Sequence, residues 1–180
     1  MISAPMQRAL DLARNAPYTS PNPAVGAVIV APSGETIAEG VYLGPGTPHA
    51  EIVALERAGE AARGATVYVT LEPCNHSHTA DGQPRTSCAQ ALIDADVAEV
   101  HYAIADPDPR THGAGHRRLE AAGVRVVVGE GQEEARRINE AFFKHRTTGL
   151  PFVVAKFAAS LDGRIAAASG DSRWVSGPET

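Results

Sequence analysis

Pro48-His49-Ala50-Glu51, Glu72-Pro73-Cys74 and, after thirteen intervening residues, Cys88 are the parts of this chain whose residue types and spacing could do chemistry. One imidazole and two thiolates make a three-ligand set for Zn2+. Such a set leaves the fourth tetrahedral position to water, as catalytic rather than structural zinc sites do. Glu51 lies two residues past the histidine, where it can take a proton from that water and return it to a leaving group. The chain has only two cysteines, and in a reducing compartment such a pair more often binds metal or does catalysis than forms a disulfide. A structural zinc site and a disulfide are the alternatives.

These residues need elements to hold them. Thr47-Pro48 pairs a cap residue with a proline suited to a first helical position, which predicts a helix from His49 to about Ala62 with His49 and Glu51 in its first turn. Thr66 to Leu71 reads as a buried strand that delivers Cys74, and Cys88 to Asp94 as a helix that starts at the second cysteine. Both helices would then turn their positive dipole ends toward the thiolates. Upstream, Ser3 caps a helix to about Asn15 with Met6, Ala9, Leu10 and Ala13 on one stripe. Ala24 to Val30 and Thr36 to Leu43, joined by Pro32-Ser33-Gly34-Glu35, form a hairpin. Downstream come a strand over Glu99 to Ile104, a helix over Gly113 to Ala122, a strand over Val124 to Val128 and a closing helix over Glu133 to Lys144. A hairpin followed by alternating strands and helices predicts an α/β fold, a three-layer α/β/α domain on a mixed sheet.

The 180 residues, 43% of them apolar and 21% charged, suit one ordinary domain with a small appendage. The first domain is expected over residues 1–146, and 147–180 as a linker with the incomplete start of a second, opening on a strand over Phe152 to Ala159. No apolar run reaches the roughly eighteen residues of a membrane span, and the amino terminus lacks the pattern of a secretory signal. A cytoplasmic protein with no membrane partner is expected. The net charge of -5 gives no reason to expect nucleic acid as a partner. A homo-oligomer is left open.

The pair of motifs is similar to the H-x-E and P-C-x-x-C signature of zinc deaminases, except that the second half is stretched to thirteen intervening residues. With Pro21-Asn22-Pro23-Ala24-Val25-Gly26, Gly64 to Cys74 and Asp106-Pro107-Asp108-Pro109, the chain resembles the deaminase half of the bifunctional riboflavin-biosynthesis deaminase/reductase family. Lys156 to Ala166 and Gly170 to Trp174 resemble the opening of that family's dihydrofolate-reductase-like half. The resemblance implies a cytidine-deaminase-like fold, zinc on His49, Cys74 and Cys88, and Glu51 as acid/base. It also implies a small phosphorylated pyrimidine nucleotide as substrate, deaminated with release of ammonia. NADPH belongs to the reductase half, so the reductase step is not expected from this chain. Asn22, His76 and Arg85 match family positions that contact substrate. For Asn22 a plain turn residue is an equal reading, and for His76 and Arg85 the alternative is an exposed polar loop lengthened by Ser77 to Gln83. His78, His101, His112, His116 and His145 read as solvated or internally satisfied. The rival functions are a deaminase of a free base, nucleoside or tRNA, and a non-catalytic zinc-stabilised module.

Overall fold

The computed structural model describes residues 2–78, 82, 84–109 and 111–172. The apolar stripe of the first segment becomes helix α1 (Ala4–Arg14), which buries Met6, Ala9, Leu10 and Ala13. Ser3 caps it, its hydroxyl accepting from the Met6 N–H at 3.4 Å. Strands β1 (Gly26–Val30) and β2 (Thr36–Val41) pair antiparallel as the predicted hairpin. Then follow α2 (Ala50–Ala58), β3 (Thr66–Val69), α3 (Cys88–Asp94), β4 (Glu99–Tyr102), α4 (Ala114–Ala121) and β5 (Arg125–Val128). Helices α5 (Gln132–Ile138) and α6 (Glu140–Thr148) come last.

The five strands form one sheet in the order β2-β1-β3-β4-β5. β1 runs antiparallel to both neighbours, whereas β3, β4 and β5 are mutually parallel. Period-two alternation sorts the layers. Val28 and Val30 meet Ala9 of α1 on one face, while Ala27 and Ile29 join Ala50 and Ala54 of α2 on the other. α5 lies beside α1, and α3 lies between α2 and α4. The chain is therefore the three-layer α/β/α domain on a mixed sheet that its pattern predicts.

Two glycines set how close the layers come at the motif residues. A Cβ on Gly40 would lie 2.0 Å from the Ala50 carbonyl oxygen, so only glycine lets the first turn of α2 press against β2. A Cβ on Gly115 would lie 1.8 Å from the Pro73 carbonyl oxygen, one residue before Cys74. Gly115→Ala must push α4 off that segment. The expected loss is about 1–3 kcal/mol, the usual cost of overpacking, seen as a lower melting temperature in thermal unfolding. A variant that melts with the wild type would show that α4 yields freely there.

Three expectations need correction. α2 begins one residue later than predicted and is capped by His49 rather than Thr47, and a 3-10 turn (Gly59–Ala62) replaces its last turn. The His49 side chain makes no capping hydrogen bond, because its ring is turned to the two sulfurs. The closing helix is two helices broken at Asn139. Its amide side chain is spent on the backbone of Ala24, accepting from N–H at 2.7 Å and donating to the carbonyl at 2.9 Å. The strand expected over 152–159 does not form: the segment carries no helix or strand and stays largely exposed. An apolar run becomes a strand only where another strand satisfies its backbone, and no sheet edge meets it. Arg173 and Trp174 lie outside the described residues, as do 79–81 and 83 of the Ser77–Gln83 stretch.

Candidate active site

Parallel strands tend to present ligands at their carboxyl ends, and here the motif residues collect beyond the end of β3. The strand runs on into Leu71-Glu72-Pro73-Cys74, held to the segment just past β4 by the Glu72 N–H on the Ile104 carbonyl at 2.9 Å. Cys88 opens α3 behind the cap Ser87, whose hydroxyl accepts from the Gln90 N–H at 3.2 Å. The next amide, that of Ala89, donates to the Cys74 carbonyl at 3.0 Å and so ties the two cysteine segments together.

The three candidate ligand atoms converge. Cys74 Sγ lies 3.5 Å from Cys88 Sγ and 3.6 Å from His49 Nδ1, and Cys88 Sγ lies 3.3 Å from that nitrogen. Among the described residues this trio alone groups three such atoms within 4.8 Å of one another. Both cysteines are free, and their separation is far beyond a disulfide bond of about 2.05 Å. A tetrahedral zinc with bonds of about 2.3 Å to sulfur and 2.05 Å to nitrogen needs S···S and S···N edges of about 3.8 and 3.6 Å. The donor set and its spacing could thus hold zinc after small adjustments.

Electrostatics prepare the sulfurs. The hydrogen bond from Cys88, followed by that of His49, brings the Cys74 thiol down to about 3 against the effect of burial. Cys88, as the partner that keeps its proton, is raised. Burial works against protonation of His49, but the hydrogen bond to Cys74 and the charge of Glu51 outweigh it and raise its pKa. Glu51 is buried at 4% exposure, and burial raises its carboxyl above the ordinary range.

A cavity of about 530 Å³ opens onto this group, lined by His49, Glu51 and Cys74 and also by Asn22, His76 and Arg85. Every site residue expected from sequence except Cys88, which is 1% exposed behind the wall, therefore borders one space. Asn22 donates from Nδ2 to the Tyr42 hydroxyl at 2.6 Å. The Tyr42 ring stands edge-on to His49 at 5.4 Å. His76 Nε2 meets the Thr111 hydroxyl at 3.0 Å.

The lengthened loop does not displace Arg85. It pinches back on itself through a His78–Pro84 bridge and through the Arg85 N–H on the Ser77 carbonyl at 2.8 Å. The guanidinium then reaches inward. Its Nη2 donates to Cys74 Sγ at 2.8 Å, its Nη1 lies 3.1 Å from His49 Nε2, and its Nε donates to the His76 carbonyl at 3.4 Å. Arg85 thus sits on the cluster itself.

Sequence reasoning misses several contributors. Glu72 is 3% exposed and accepts the backbone N–H groups of Gly113, Asp106 and His116 at 3.0, 3.3 and 3.4 Å. A carboxylate thereby caps the glycine-started α4 and fixes the loop that carries Thr111. Its motif is visible in the chain, but the helix it caps lies some forty residues away. Tyr42, Phe142, Arg146 and Thr111 line the cavity with no local signal of their own, and Asp108, inside the Asp106-Pro107-Asp108-Pro109 motif, lines it too. Among the other histidines, His101 pairs with Glu99 at 2.7 Å, His116 with the Tyr102 hydroxyl at 2.8 Å, and His112 with the Asp106 carbonyl at 2.9 Å.

Asn139 holds Ala24 and, through it, the Asn22 turn. Asn139→Ala removes both hydrogen bonds from the partly buried Ala24 backbone, a loss of about 0.5–1.5 kcal/mol for each bond. Urea unfolding should register the loss, and KM should rise more than kcat falls. An unchanged KM would separate Asn139 from substrate positioning.

Residues 2–104 match the family described as the cytidine and deoxycytidylate deaminase zinc-binding region, and residues 151–180 match the RibD C-terminal domain. The riboflavin biosynthesis protein RibD of Haemophilus influenzae is 49% identical over 176 residues, 97% of this chain and 45% of that one. RibD of Escherichia coli is 48% identical over 97% of this chain and 46% of its own length. The chain thus spans about half the length of the curated relatives it matches. The solved structure of Acinetobacter baumannii RibD superposes with a TM-score of 0.86 at 46% identity, covering 96% of this chain and 47% of that one. A diaminohydroxyphosphoribosylaminopyrimidine deaminase/5-amino-6-(5-phosphoribosylamino)uracil reductase from Thermotoga maritima gives a TM-score of 0.86 at 38% identity, with 96% and 49% covered. With its fold and its His-Cys-Cys cluster in agreement, the chain belongs to the family of the cytidine and deoxycytidylate deaminase zinc-binding region.

Proposed function

We propose that residues 1–146 form a zinc-dependent hydrolytic deaminase acting on 2,5-diamino-6-(5-phosphoribosylamino)pyrimidin-4(3H)-one in riboflavin biosynthesis, with release of ammonia. The observation that carries this reading is the convergence of His49 Nδ1, Cys74 Sγ and Cys88 Sγ beside buried Glu51, on a cavity sized for a nucleotide. Identity near one half to RibD proteins supports the substrate class.

In this reading His49, Cys74 and Cys88 hold the zinc, which supplies the Lewis acidity that makes water a nucleophile near neutral pH. Glu51 takes one proton from the attacking water and delivers it to a ring nitrogen, then carries the proton of the newly formed hydroxyl to the amine, which departs as ammonia. Its raised affinity for a proton suits a group that must both accept and donate. Asn22 and His76 orient the ring and its substituents, each already fixed by a neighbour, Tyr42 and Thr111. Arg85 steadies the Cys74 sulfur and borders the substrate.

Ammonia release tests the proposal. The zinc-loaded chain should deaminate the phosphoribosylated diaminopyrimidine, lose activity on chelation, and leave cytidine, deoxycytidylate and guanine unchanged. Faster turnover of any of these three would overturn the substrate assignment.

A further inference from the structure

Among the described residues, one permanently charged side chain of the cavity takes no part in holding the metal or moving the proton. Of the described residues that line it, Arg85 and Arg146 carry a guanidinium. Arg85 is committed: all three of its nitrogens are occupied, by Cys74, His49 and the His76 carbonyl.

Arg146 is placed differently. It projects from the last turn of α6, outside both family-matched segments, 2–104 and 151–180. Its contacts are with Asp108, by an ion pair at 3.5 Å, and with the Phe142 ring 5.4 Å below its guanidinium carbon. Neither partner belongs to the metal cluster. Phe142 and Arg146 lie four residues apart and share one helix face, so the ring stiffens the arginine where it borders the cavity. The Asp108 pair is longer than the 2.7–2.9 Å typical of a charge-assisted hydrogen bond, and the side chain is 34% exposed. A guanidinium has five N–H donors in a planar fork, more than one carboxylate at that distance uses.

We propose that Arg146 is the residue that recognises the substrate's phosphate and so sets the preference for a phosphorylated over an unphosphorylated aminopyrimidine. This rests on the deaminase reading and names the group that gives it specificity. Asp108 aims the fork, Phe142 supports it, and the free edge takes the phosphate oxygens.

The test compares the full zinc-loaded chain with Arg146→Gln and Arg146→Lys on the phosphoribosylated substrate and on its dephosphorylated form. Calorimetric binding of ribose 5-phosphate is measured alongside. Arg146→Gln is expected to raise KM for the phosphorylated substrate at least tenfold with little change in kcat, to leave KM for the dephosphorylated form in place, and to abolish ribose 5-phosphate binding. Arg146→Lys should retain part of each. An equal change in both KM values would make Arg146 a structural tie between α6 and the Asp108 loop, and no change in either would remove it from the site. If the wild type deaminates neither compound, the deaminase reading falls. In that case ribose 5-phosphate binding still decides the point: loss in Arg146→Gln supports the phosphate role, and undiminished binding ends it.

Discussion

Glu51→Gln is expected to keep its zinc and its fold while kcat falls by roughly a hundred- to ten-thousand-fold, the range that a positioned acid/base supplies. Metal content by atomic absorption and ammonia release read the two parts separately. The same substitution should also stabilise the metal-free chain, and in a pH-dependent way. Burial lifts the Glu51 carboxyl above its ordinary range, so the folded chain holds that proton more tightly than the unfolded one. The unfavourable burial of charge is then in full force above the folded pKa and disappears below the unfolded value of about 4.3. Glutamine removes the charge. Its advantage in urea unfolding of the chelator-treated chain should therefore be present at neutral pH and absent near pH 4. Near-native turnover would sink the proton-transfer role, and lower stability at neutral pH would sink the account of a strained buried charge.

Cys88→Ala should reduce zinc from one equivalent to a trace and abolish deamination with it. Cys88 is buried at the first position of α3, against Cys74 and His49, so two donors remain and the site loses its closed geometry. A ligand that binds only the folded state stabilises it by RT ln(1 + [L]/Kd), about 2.7 kcal/mol at a hundredfold excess over Kd. Wild-type protein should accordingly melt lower after chelation and converge on the variant, whose own melting temperature a chelator should no longer move. Full zinc occupancy in Cys88→Ala would strike it from the ligand set and leave the cluster's geometry without its proposed purpose.

Much of the site is legible in the amino-acid sequence. The ligand trio and Glu51 lie in short motifs beside elements with strong local patterns, the helix periodicity of α1 and the β-branched run of β3. Even the odd spacing between the cysteines is informative, because it marks a loop at the site. The elements that depart from expectation do so for non-local reasons. The closing helix breaks at Asn139 because Ala24, far away in the chain, takes its side chain. The apolar 152–159 stretch has strand composition and no strand to pair with.

By itself, then, the sequence determined which residues could hold a metal and move a proton, since ligand chemistry depends on residue type and near spacing. It also determined the layer order, since alternation and helical period decide which faces are buried. Only the tertiary structure decided what meets across the cavity. Arg85 turns onto Cys74 and His49 instead of standing free, Glu72 caps a helix some forty residues downstream, and Arg146 arrives from α6 with no motif around it. The physical reason is range: propensity and periodicity act over a few residues, whereas a guanidinium's partner is set by where distant backbone segments bring their charges together.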